Sequence, residues 1–179
     1  MATNEPWMIA EIPGPRSASL ITKAEVADAI IRRAKHPLLV IGTLAAEIEA
    51  EDRRLIEYLI ILARKGEIPV VATGQTGKEL RDRNFSPVHQ MSAVDIGNRL
   101  IDPSWRGIDG KAPHDLVLFA GLPYCLATSL LSGLKHFSPA LKTMTLDNVY
   151  HPHASWSLPN LSLRDWATTL RSIIENLEE

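Results

Sequence analysis

The stretch H-P-L-L-V-I-G-T at residues 36–43 decides how the rest of the chain is read. Pro37 cannot continue a helix, and Leu38 to Ile41 is the kind of apolar run that suits a strand covered on both faces. Gly42 then ends the run at a turn. The segment that follows, L-A-A-E-I-E-A-E-D-R-R-L-I, is helix-like, so a strand–glycine–helix crossover is expected. Nucleotide-binding crossovers begin this way. Their fingerprint, G-x-G-x-x-G, nevertheless asks for three glycines where this turn offers one. Either the turn holds a phosphate, or it keeps the architecture without the ligand.

Working outward, Thr22-Lys23-Ala24-Glu25 has capping-box spacing, and Val26, Ile30 and Ala34 recur at helical period ahead of Pro37. Ile48, Leu55, Leu59 and Leu62 stripe a second helix that Gly66 closes. A second strand, Ile68 to Ala72, ends in the turn T-G-Q-T-G at 73–77, and Val88, Met91 and Val94 predict a helix toward Leu100. The block D-P-S-W-R-G-I-D-G-K at 102–111 is loop chemistry, with Pro and Gly at turn positions and Asp to bond the backbone. A third strand, Leu116 to Ala120, runs into Gly121 and a helix striped by Leu122, Leu126, Leu130 and Leu134. Lys142 to Leu146 is a fourth strand, ending in Asp147. The loop N-V-Y-H-P-H-A-S-W-S-L-P-N leads to a last helix carrying Leu163, Trp166, Leu170, Ile173 and Leu177.

Strands alternating with helices imply parallel pairing through right-handed crossovers, hence a three-layer, doubly wound α/β/α sheet. One such domain is expected over residues 17–179, which is enough chain for a core without staples. An extended arm, 1–16, precedes it: Pro6, Pro13 and Pro15 disfavour a helix, while Trp7, Met8, Ile9 and Ile12 make the arm apolar. It either folds back over the domain or docks on a partner.

Bulk properties narrow the function. The formal net charge is -2, so no basic stripe is available to neutralise nucleic-acid phosphates. Cys125 is the single cysteine, which rules out an internal disulfide and an iron–sulfur cluster held by this chain alone. The N-terminus lacks the pattern of a signal peptide, and no apolar run approaches the length of a membrane helix; a soluble, cytoplasmic protein is expected.

Ligands of open α/β sheets bind beyond the carboxyl ends of the strands. Those ends carry Gly42-Thr43, Thr73-Gly74-Gln75, Gly121-Leu122 and Asp147-Asn148, and Asp147 stands where an acid could take a ribose hydroxyl. Steric demand at βα turns explains such glycines equally well. His151-Pro152-His153 could contribute two metal ligands with Asp147 as a third, or be ordinary capping imidazoles. Cys125, near a helix start, reads as a reactive thiol or a small buried hydrophobe. Neither G-x-S-x-G nor H-E-x-x-H is present.

The order of segments A-I-I-R-R-A-K-H-P-L-L-V-I-G-T, I-P-V-V-A-T-G and D-P-S-W-R-G-I-D-G-K-A-P-H-D-L-V-L-F-A-G resembles the epsilon-subunit family of the archaeal acetyl-CoA decarbonylase/synthase complex. More widely it is similar to the DHS-like NAD/FAD-binding fold, a Rossmann-like class that includes the central domain of thiamine-diphosphate enzymes. The resemblance implies a small subunit without catalytic activity of its own. Its partner would be the nickel- and iron-containing alpha subunit, in the α2ε2 carbon monoxide dehydrogenase component, with all metal clusters on alpha. The implied role is either to stabilise alpha or to assist electron transfer to FAD. Flavin-binding relatives of the fold imply ligand positions at Gly42, Thr43, Thr73, Gly74, Gln75, Gly121 and Asp147. Trp7, Trp105 and Trp156 are the candidate interface anchors.

Overall fold

A computed structural model describes residues 16–177, so the expected arm lies outside the described residues except for Arg16. The chain enters through β1 (Ser19–Leu20) and α1 (Ala24–Arg33), and Pro37 opens β2 (Pro37–Ile41). A 3-10 turn, Thr43–Ala46, and a hairpin of β3 (Glu49–Ala50) and β4 (Arg53–Arg54) separate β2 from α2 (Leu55–Lys65). There follow β5 (Val70–Ala72), α3 (Thr76–Asp82), β6 (His89–Gln90) and α4 (Ala93–Ile101). The last part comprises β7 (Leu116–Ala120), α5 (Tyr124–Phe137), β8 (Lys142–Thr145), β9 (Trp156–Ser157) and α6 (Leu163–Asn176).

Seven of these strands form one sheet in the order β1-β9-β8-β7-β2-β5-β6, and every neighbouring pair is parallel. All their carboxyl ends therefore lie on one rim. The apolar runs explain the arrangement. Along β2, Leu38 and Val40 join a core with α4 and α5, whereas Leu39 and Ile41 join the opposite core with α1, α2 and α6. A strand that feeds two cores must be apolar at every position, because side chains alternate between faces. Trp166 of α6 is fully buried, and its indole N–H donates to the Leu146 carbonyl at 2.7 Å, fastening α6 to the end of β8. Truncating such a side chain costs about 3–5 kcal/mol.

Several expectations need correction. β1, β6 and β9 were not foreseen among the four expected strands; each is two residues long, too short to show a period. The second helix begins at Leu55 and not with Ile48, because the hairpin intervenes. There the Glu57 carboxylate accepts from the Arg54 N–H at 3.3 Å, and Arg171 of α6 reaches Glu51 at 2.7 Å. The capping box expected at Thr22 does not form: Lys23 occupies the N-cap and no side chain bonds the first turn. The buried face of α1 is Ala27 and Ile31, and Val26 is 42% exposed, because the helix rolls its small residue onto α6. The T-G-Q-T-G turn passes into α3 at Thr76, and the predicted helix near Val88 starts only at Ala93, capped by the Ser92 hydroxyl at 3.0 Å from Asp95 N. Leu126 and Leu163 face outward instead of into the core. No helix among the described residues is long and apolar enough to cross a membrane.

Candidate functional site

Chain order reverses between β2 and β7. From β2 the chain builds outward through β5 and β6, then returns to the other side of β2 and builds β7, β8 and β9. The carboxyl-end crevice at such a reversal is where open α/β sheets hold ligands. Gly42, Thr43, Thr73, Gly74, Gln75, Gly121 and Asp147 follow the ends of the adjacent strands β8, β7, β2 and β5, so they gather along this one rim.

The mouth of the crevice is filled by the chain itself. The Gly42 N–H donates to the Ala120 carbonyl at 2.8 Å, and the Leu44 N–H donates to the Gly121 carbonyl at 2.9 Å. A Cβ on Gly42 would stand 2.1 Å from the Gly121 carbonyl oxygen, and one on Gly121 (φ +74°) would stand 2.7 Å from Ala45. These two glycines are thus required where two backbones cross in contact. No α-helix N-terminus points at Gly42, since a 3-10 turn and a hairpin follow it. Around β5 the polar groups also turn inward: the Thr73 hydroxyl donates to the Ile41 carbonyl at 3.3 Å, and the Gln90 amide donates to the Gly74 carbonyl at 3.0 Å. Thr43, Gly74 and Gln75 remain exposed on the outer lip.

Asp147 is 8% exposed, and one carboxylate oxygen accepts from the Gly121 N–H at 2.7 Å. Its other oxygen lies 3.6 Å from His151 Nε2. His151 is 2% exposed and stacks on Tyr124 at 4.7 Å between ring centroids. The carboxylate expected to meet a ribose hydroxyl therefore braces the turn after β7. His153 lines a different hollow, beside Lys135 and Lys142, so the two histidines of H-P-H are not brought together. Among the described residues no group of three or more His, Cys, Asp or Glu assembles as a metal set. Cys125 is exposed in the first turn of α5, which corrects its reading as a buried hydrophobe.

The opposite edge holds a constellation that sequence reasoning missed. His36 and His114 precede β2 and β7, whose register Pro37↔Leu116 sets them side by side, and their rings stack at 5.1 Å. Trp105 of the 102–111 block leans on His114 at 5.5 Å. The Ile108 N–H donates to His114 Nε2 at 3.3 Å, so the ring proton sits on Nδ1 and donates to the His36 carbonyl at 2.9 Å. Asp115 accepts from the Lys35 and His36 N–H groups at 2.7 and 2.8 Å. Asp109 accepts from the Lys111 N–H at 3.0 Å and lies 3.3 Å from His36 Nε2. The signal was there: two histidines, each just ahead of an apolar run, on strands that the fold makes neighbours.

Over residues 1–174 the chain matches the family described as CO dehydrogenase beta subunit/acetyl-CoA synthase epsilon subunit. It is 40% identical over 162 residues to the acetyl-CoA decarbonylase/synthase complex subunit epsilon of Methanothermobacter thermautotrophicus, covering 90% of this chain and 89% of that one. The subunit epsilon of Methanothrix soehngenii is 37% identical over 158 residues, covering 88% and 81%. Subunit epsilon 1 of Archaeoglobus fulgidus is 37% identical over 174 residues, covering 94% and 90%.

Two outcomes follow from this geometry. Gly42→Ala is expected to lower the urea unfolding free energy by about 1–3 kcal/mol or more, since overpacking here meets backbone. Gly133→Ala, a helical site with nothing within 4 Å, serves as the control and should be neutral or stabilising by up to about 1 kcal/mol. Burial pushes the His114 imidazole below its ordinary value near 6.5, outweighing the raising effect of its bond to the His36 carbonyl. A group lowered in the folded state contributes fully above the unfolded pKa, so stability should fall as pH drops below about 6.5. The carboxyls of Asp102 and Asp109, held below the aspartate range by hydrogen bonds to Ser104 and Lys111, act only at lower pH. Thermal midpoints of His114→Gln should therefore vary less between pH 7 and 5 than those of the unsubstituted chain.

Proposed function

The chain belongs to the CO dehydrogenase beta subunit/acetyl-CoA synthase epsilon subunit family, and from that premise we propose that it is a non-catalytic small subunit of an acetyl-CoA decarbonylase/synthase complex. In this reading it pairs with the nickel- and iron-bearing alpha subunit in an α2ε2 carbon monoxide dehydrogenase component. It would stabilise alpha in acetyl-CoA synthesis and cleavage in the cytoplasm. The observation that carries the proposal is the closed crevice: the Leu44 bond to Gly121 and the Gly42–Gly121 contact fill the place where a sheet of this order would seat a ligand. With the redox centre on a partner, this chain needs only shape. Trp105, half-buried against His114 at the amino-end edge, is the better anchor candidate; Trp156 packs partly into the core, and Trp7 lies outside the described residues.

A second reading keeps a cofactor. Six strands, taken from β6 to β9, run in the order 3-2-1-4-5-6 known for dinucleotide-binding sheets, which supports a DHS-like NAD/FAD-binding fold. FAD or NAD would then lie on the outer lip, over Thr43, Gly74 and Gln75, with Gly42, Thr73, Gly121 and Asp147 shaping the turns beneath. It would assist electron transfer from alpha.

Gel filtration of this chain with the alpha subunit tests the first reading: co-elution is expected, and separate elution overturns it. Heating the same chain with millimolar FAD or NAD separates the two. Ligand at about a hundred times its Kd adds roughly 2.7 kcal/mol, so an unchanged midpoint removes the cofactor reading.

A further inference from the structure

The helices that cover Leu38 and Val40 present an apolar surface of their own on the side away from the sheet. α4 and α5 pack side by side, each running back against the parallel strands that it connects. They meet closely: a Cβ on Gly97 would stand 2.3 Å from the Leu130 side chain. Leu126, Leu130, Gly133 and Phe137 fall at i, i+4, i+7 and i+11, along one edge of α5. Val94, Gly97 and Ile101 fall at i, i+3 and i+7, along one edge of α4. Both edges flank the Gly97–Leu130 contact and so line a single groove between the helices. Val94 is 61% exposed, Phe137 is 71% exposed, and Leu126 also reaches solvent. These are three of the five large hydrophobics exposed among the described residues, and their clustering here separates them from the scattered exposure that any surface shows.

The groove is complementary to a second copy of itself. Among the described residues nothing lies within 4 Å of a Cβ added at Gly133, so α5 has a gap one turn beyond Leu130. When α5 is set antiparallel to its copy about a two-fold axis between Leu131 and Ser132, Leu126 faces Phe137 of the second copy and Leu130 faces the gap at Gly133. On α4 a two-fold axis between Gly97 and Asn98 sets Val94 against Ile101, and Asp95 within one residue of Arg99. Because Gly97 touches Leu130, the two operations coincide to within about 3 Å, two residues of helical rise, and one axis serves both helices. Asp95 and Arg99 lie 3.2 Å apart within one helix, and each is nearly half exposed, so across two copies their charges alternate in sign. On α5 the Lys135 ammonium is engaged by the Arg16 carbonyl in a different hollow, and His136 meets the first half of the copied helix, which carries no charged residue. Large side chains set against gaps, and opposite charges set against each other, satisfy what an isologous contact demands.

We propose that two copies of this chain associate through the α4–α5 face as an antiparallel four-helix layer, Phe137 of each copy packing on Leu126 of the other. The area sets the strength of the contact. The 14-residue α5 is roughly 21 Å long, and two helices side by side are about 20 Å wide, giving a footprint of about 400 Å² on each copy. A standard interface takes about 800 Å² from each partner, so the dimer is a weak one that forms in the micromolar range and above. The inference concerns the isolated chain and stands or falls separately from the subunit reading.

Sedimentation velocity of the full chain between about 1 and 500 µM should show a monomer passing reversibly into a dimer. Phe137→Asp and Val94→Asp, both at exposed positions, should each weaken that dimer at least about tenfold, because each puts a charge into the apolar groove. Far-UV circular dichroism checks that each variant is folded, and if one unfolds the other decides. Copper-catalysed oxidation then reads the register. Gly133→Cys, made in a Cys125→Ser chain, should yield a disulfide-linked dimer, since the two Cα atoms approach to about 7 Å across the axis. The native Cys125, roughly 20 Å from its copy along the same helices, should not link. A monomer at every concentration overturns the proposal and leaves the groove to a different subunit. A dimer indifferent to both Asp substitutions overturns it as well, and so does a dimer that fails to link at position 133 or that links through Cys125.

Discussion

The structure depends on two backbones crossing in contact at the ends of β2 and β7. Gly42 and Gly121 approach so closely that neither can carry a side chain, and the Leu44 N–H seals the approach by donating to the Gly121 carbonyl at 2.9 Å. The contact sits where strand order reverses, which is the one place in such a sheet that topology leaves open. Asp147 reinforces it from β8 by accepting the Gly121 N–H. A charge-assisted bond of this kind, at a buried site, is worth about 1.5–3 kcal/mol, and losing it would leave Gly121's N–H unpaired in a left-handed turn. At both positions a Cβ would collide with the chain's own backbone.

This closure divides the molecule into two unlike edges. At the carboxyl-end rim the turns bond inward, and the exposed lip offers Thr43, Gly74 and Gln75. At the amino-end edge the His36–His114 stack, Trp105 and the Asp109 and Asp115 carboxylates tie the start of β2 to the start of β7. The same two central strands are therefore clamped at both ends, by backbone contact at one and by a ring stack with charged hydrogen bonds at the other. A hollow lined by Trp105, His114, Asp115 and Phe137 opens beside the second clamp.

Much of this was legible in the residues. Continuous apolar runs identified the central strands because a strand feeding two cores has no polar side, and β7 was read to the residue. The gathering of the glycine-ended turns on one rim followed from strand–helix alternation alone. Three features were not legible, each for a physical reason. Two-residue strands such as β9 carry no period, and Trp156 looked like loop. The hairpin before α2 hid inside a charged run, E-A-E-D-R-R, whose spacing imitates a helix start. The partnership of Asp147 with Gly121, and of His36 with His114, joins residues 26 and 78 positions apart, which only the sheet order brings together.

Native-state hydrogen exchange at single amides measures the central claim most directly. If the crevice is closed by the chain, the amides of Leu44 and Gly121 open only with the whole fold, and their exchange free energies equal those of Val40 and Leu118 inside the sheet. Exchange of Leu44 and Gly121 through local opening, fast while Val40 and Leu118 stay protected, would contradict it. The crossing would then be a gate, and the rim would be free to admit a ligand.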